Sequence, residues 1–256
     1  MKFDVPTFNS VSLMVFACGA VVTFSLSRIF PHVKPLRLWT AGFILMCGSV
    51  MSYAAHATLY RGDWLLVAAA TLNLQYRILT WSGVRVLFGA SARLRTGFAV
   101  CVAFCLLDAI ALALRLPKVY LAGLVALFFV PFRALTIYEV CKRQRQHLGL
   151  GRALVAPGSF ILALNAIAPL VLVLLDSGAT PMLIGTPPTA GGGYYVVFAG
   201  DLLVVVGLIV LAMQQIIIEQ GIFARLDNAT LRIRKSMLAV PRGEAKRGET
   251  ERLDPA

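Results

Sequence analysis

The sequence predicts an all-α fold: a polytopic seven-helix transmembrane bundle, with the N-terminus outside and the C-terminus in the cytoplasm. Three observations predict it. Of the 256 residues, 59% are apolar and 14% charged, whereas an ordinary soluble chain carries about a quarter charged residues. A soluble domain of this size has no means of hiding so much apolar surface. Seven stretches approach the ~17–25 apolar residues that a membrane crossing needs. Lys and Arg also alternate from side to side: 18 fall in the loops after spans 1, 3 and 5 and in the tail, against 4 on the opposite side. The positive-inside rule assigns the richer side to the cytoplasm. The runs lack the period-two alternation of an outer-membrane barrel.

Span 1 covers 11–30. The preceding "MKFDVPTFNS" is a poor signal-peptide start, and "VFACG" puts bulky Phe16 where a lipoprotein cleavage site needs a small residue, so span 1 is read as retained. Span 2 covers 38–59. Span 3, 63–84, is the weakest, because it contains Asn73, Gln75 and Arg77. Span 4, 97–114, is short, and Asp108 is its one charge. Span 5, 119–140, carries Pro131 and Arg133, and span 6 covers 156–175. The uncharged "SGATPMLIGTPPTAGGG" at 177–193 is an outer connection, either a plain flexible one or a lid. Span 7, 194–217, contains Asp201.

These boundaries make 1–217 a seven-span membrane domain. Beyond it, Ile222, Leu226, Ala229, Ile233, Met237 and Val240 recur at steps of three and four. That stripe predicts a cytoplasmic exit helix over 218–240, either pairing in a homodimeric coiled coil or lying on anionic lipid. Pro241 stops it, and the polar residues 241–256 are expected to be disordered.

The buried polar groups are the candidate site. An Asp at the centre of a membrane helix costs about 2.5–3.5 kcal/mol, so Asp108 and Asp201 each require compensation. At about 1.5 Å per residue, both lie roughly 10 Å below the outer surface. Arg77 and Arg133 sit deeper, in the cytoplasmic half, and Glu139 lies near the inner boundary. Asp201 is expected to face the interior, either in an ion pair or lining a small polar cavity with Asp108. An unpaired acid would stay neutral and donate one hydrogen bond, with Asn73 and Asn165 as partners. The same residues equally suit helix association without any ligand.

Other chemistry finds little footing. The histidines His32, His56 and His147 are scattered, with no pair at matched depth for haem or metal, so no metal or cofactor is expected. There is no HExxH, Walker or Gly-x-Ser-x-Gly pattern. The five cysteines fall within spans or at their ends and suggest packing. The net charge of +12 is spread between apolar runs, which suits anionic headgroups and gives no reason to expect nucleic acid.

One stretch carries a family likeness. In "LTWSGVRVLFGASAR", Gly83, Arg85 and Gly89 resemble the Gly-x-Arg-x-Phe-x-Gly ending of the third helix in the membrane sensor region that precedes many bacterial GGDEF diguanylate cyclases. Leu87 stands where Phe is usual. The likeness covers roughly 35–235 in layout. It implies a bacterial inner-membrane signal-input module whose last helix leads to a cytoplasmic cyclase. Only 39 residues follow span 7 here, without a Gly-Gly-Asp-Glu-Phe signature, so this chain is not expected to be an enzyme itself. The expected function is relay of an unknown small ligand or membrane signal to a cytoplasmic output protein. The alternative is a small proton- or cation-coupled transporter using Asp108 and Asp201, although seven spans show no half-to-half repeat.

Overall fold

The computed structural model describes residues 5–58, 62–142, 148–175 and 192–238. These residues form seven helices and no strand: α1 (Val5–Ile29), α2 (Pro35–Thr58), α3 (Asp63–Leu87), α4 (Leu94–Ala113), α5 (Lys118–Lys142), α6 (Gly149–Leu174) and α7 (Gly192–Leu238). Six of them, all but α3, are long and apolar enough to cross a membrane. Contacts divide the chain into two compact units, Met1–Gln214 and Gln215–Ala256.

Packing explains the exception. Helix α3 contacts α2, α4 and α5, and between Leu65 and Leu87 it exposes no large apolar side chain. The other helices do expose them, as Met14, Ile44, Phe98, Leu127, Phe160 and Val206 illustrate. A helix enclosed by protein needs no lipid-soluble face, so its polar residues are tolerated where neighbouring helices satisfy them. The low hydropathy of α3 therefore marks the centre of the first unit.

Several helices begin earlier than the apolar stretches suggested. Helix α1 starts at Val5 instead of 11, and α6 at Gly149 instead of 156. Hydropathy marks the part of a helix that matches hydrocarbon, whereas hydrogen bonding continues through flanking polar residues such as Asn9 and Arg152. Pro157 and Pro169 lie inside α6 without ending it. Span 7 and the exit segment are one helix of 47 residues. In the second unit, Gln215 Nε2 donates to Glu219 Oε1 at 2.6 Å, one turn on. The 177–191 connection, His147, the 241–256 tail and the exit-stripe side chains beyond Ile222 lie outside the described residues.

Aromatic and polar contacts tie α1, α2 and α3 together. Phe16, Phe43 and Tyr76 cluster with ring centroids 5.6–6.3 Å apart. Ser49 Oγ donates to Ala69 O at 2.7 Å, and Trp39 Nε1 to Thr80 O at 3.3 Å. The Trp39 indole lies against the Cα of Gly83, where any Cβ would collide with it.

Helices α6 and α7 meet along a seam of small residues. A Cβ on Gly158 would stand 2.9 Å from Gly200 O, one on Gly207 2.7 Å from Val155 Cγ2, and one on Gly151 2.6 Å from Leu211 Cγ. Gly151 and Gly158 are seven residues apart, as are Gly200 and Gly207. Two turns of helix return each pair to one face, allowing close backbone approach over that length.

Candidate functional site in the bundle interior

Three of the expected residues line one cavity. Asn73 and Arg77 from α3 and Asn165 from α6 border a space of about 210 Å³, together with Asn9, Ser49, Tyr53 and apolar residues including Met46, Phe129 and Pro169. The cavity lies toward the end of the bundle where α1, α3, α5 and α7 begin.

Arg77 is its most polarising group and is only 9% exposed. The one-turn spacing of α3 lets Arg77 Nε donate to Asn73 Oδ1 at 3.0 Å. Its guanidinium stacks over the Phe129 ring, 4.4 Å from the centroid. Arg77 Nη1 has no hydrogen-bond acceptor. Asn73 therefore serves the cation, a role its expected partnership with an acid did not include. Across the cavity, Pro169 has no N–H, so the Asn165 carbonyl four residues earlier loses its helical donor.

Behind this cavity lies a buried ion pair. Arg133 on α5, 1% exposed, places Nη2 3.6 Å from Asp201 Oδ1 on α7, itself 8% exposed. The contact is longer than the ~2.7–2.9 Å of a charge-assisted hydrogen bond, and no nitrogen of the Arg133 guanidinium has a hydrogen-bond acceptor. Instead the guanidinium lies over Tyr76, 5.5 Å from the ring centroid. Arg77 acts electrostatically on both Arg133 and Asp201. Of the two arrangements expected for Asp201, this is the ion pair, although Arg133 was counted as lying deeper. Depth counted along each helix from its own end ignores how far neighbouring helices are offset.

Asp108 stands apart. It is 4% exposed on α4, on the same buried stripe as Gly97, Cys101, Phe104 and Ala111. Asp108 does not line the Arg77 cavity.

The Gly83, Arg85 and Gly89 motif builds the far end of α3. Gly89 takes φ +81°, its N–H reaches Val86 O at 3.0 Å, and Ala90 N–H reaches Arg85 O at 2.8 Å. This left-handed cap satisfies carbonyls that a helix end would leave open. Arg85 pairs with Glu139 on α5, Nη1 to Oε1 at 3.5 Å, and covers the Trp81 ring at 5.0 Å.

Elsewhere, Cys101 Sγ points to Thr71 O at 3.6 Å, and all five cysteines are free. His56 Nδ1 lies 3.3 Å from Gly62 O, and His32 meets Phe30 edge-on. Tyr76 is the site residue the sequence reading missed. Its position one before Arg77 was visible, but only tertiary packing sets it under Arg133.

No family model matches the chain, and no curated protein or solved structure matches it either.

Proposed function

We propose that the chain is a membrane signal-input module, in which occupancy of the Arg77 cavity is relayed through α7 to a cytoplasmic partner. The observation that carries this reading is a connection. The cavity-lining cation of α3 interacts with the Arg133–Asp201 pair, and Asp201 belongs to α7, whose 47 residues exceed every other helix here. A group that changes the field at Arg77 also changes how firmly Asp201 is held. A ligand shifts such a balance only as far as its affinities for the two packings differ.

In this reading all seven helices cross the inner membrane, the cavity opens toward the outside, and the 18 cytoplasmic Lys and Arg residues contact anionic headgroups. The exit stripe from Ile222 pairs with a second copy, and the output protein resembles the cyclases suggested by the Gly83, Arg85 and Gly89 motif. Transport by an Asp108–Asp201 relay draws less support, because neither acid lines the cavity.

The test is a reporter domain fused after Leu238. One residue inserted at Gly221 turns everything beyond it by about 100°, and reporter output is expected to change. Restoration is expected after seven inserted residues, which make about two full turns. Output indifferent to both insertions would remove α7 as the relay.

A further inference from the structure

The buried charges grouped around the cavity do not balance. Arg77, Arg133 and Asp201 act on one another, giving two guanidinium cations against one carboxylate. Arginine keeps its proton in proteins, and an uncompensated buried charge is costly. Asn73 and the Phe129 ring offset part of that cost, yet Arg77 Nη1 still has no acceptor. The cavity of about 210 Å³ borders this same side chain. Its wall combines polar Asn73, Asn165 and Arg77 with apolar Met46, Phe129 and Pro169.

The geometry points to a binding site for a small organic monoanion, a carboxylate carried on an apolar ring or short chain. Its carboxylate meets Arg77 and an amide N–H of Asn165, and its body lies against Met46, Phe129 and Pro169. One negative charge cancels the surplus of one, whereas a dianion would reverse it. A buried apolar cavity of about 150 Å³ holds benzene, so this space suits a ring plus its carboxylate. With Arg77 Nε held by Asn73, Nη2 is left to give the carboxylate a charge-assisted N–H bond. This assignment deepens the input-module reading by naming the ligand class, and it rests on that reading for its biological role.

The test uses the full chain in phosphatidylcholine nanodiscs, with benzoate, benzamide, inorganic phosphate and short-chain phosphatidylglycerol titrated separately by calorimetry. Benzoate is expected to bind saturably and raise the unfolding temperature, with benzamide weaker by at least about tenfold. Phosphate is expected to show no binding. Arg77→Gln should weaken benzoate by about tenfold or more. If that variant fails to fold, Val50→Trp, which fills the cavity from α2 and leaves Arg77 in place, must abolish binding.

The site is overturned by equal binding of benzoate and benzamide, by benzoate binding that survives cavity filling, or by no saturable benzoate binding at millimolar concentration. Phosphatidylglycerol displacing benzoate with higher affinity would reassign the cavity to a lipid headgroup and overturn the assignment to a free carboxylate. Benzoate binding without any effect of Gly221 insertion would retain the site and reject the relay. An insertion effect without benzoate binding would reject only the ligand class.

Discussion

Arg133 buries one of the largest side chains in the protein, and its counterion stands 3.6 Å away without a hydrogen bond between them. Removing one partner of such a pair leaves the other charge buried alone, at a cost of about 3–5 kcal/mol. Asp201→Asn is therefore expected to lower unfolding stability in detergent by an amount of that order. Combining it with Arg133→Met should recover much of the loss, because the stranded cation is gone. Additive losses in that double-variant cycle would show that the pair does not couple α5 to α7. Arg115 offers a milder test. It ends α4 at φ 50°, with Leu116 N–H reaching back to Ala111 O at 3.0 Å. A left-handed non-glycine residue costs about 1–2 kcal/mol, so Arg115→Gly should raise stability by about 1 kcal/mol. An unchanged melting temperature would mean the cap carries no strain.

At the level of elements, α6 and α7 depend on their glycines and α5 does not. Any side chain at Gly158 or Gly200 would reach 2.9 Å from the facing helix. Overpacking of this kind costs about 1–3 kcal/mol, and Gly158→Leu is expected to destabilise by at least that much. Gly123 on α5 has open space around it. Gly123→Ala should be neutral, or stabilising by up to about 1 kcal/mol from helix propensity. Equal behaviour of the two variants in thermal unfolding would dismiss the seam. Asp201 follows Gly200 of this seam and meets Arg133 of α5.

For the whole molecule, the decisive property is the direction in which the chain enters the membrane. In the proposed orientation, drawn from the Lys and Arg bias, the α4–α5 turn at Leu116 lies outside and the α3–α4 connection at Ser91 inside. Alkaline phosphatase fused after Leu116 is expected to be active, and fused after Ser91 inactive. The reverse pattern would invert the bundle, put the cavity on the cytoplasmic side and end the input-module reading.

Helix number and type were legible before any coordinates, because apolar length and charge spacing are local properties of the chain. So were Arg77, Arg133 and Asp201 as residues needing an explanation, since each is a charge in an apolar run. Their partners were not. Tyr76 beneath Arg133 and Arg133 against Asp201 depend on rotation and offset between helices. A one-residue change in register turns a side chain by about 100°, and hydropathy is blind to it. The place of α3 was likewise misleading in sequence: its polar residues read as the weakest span, whereas they mark the helix that other helices enclose. The sequence by itself determined an all-helical, strongly apolar chain with charges it must compensate. Only the tertiary structure decided which charge meets which, because long-range packing sets those distances.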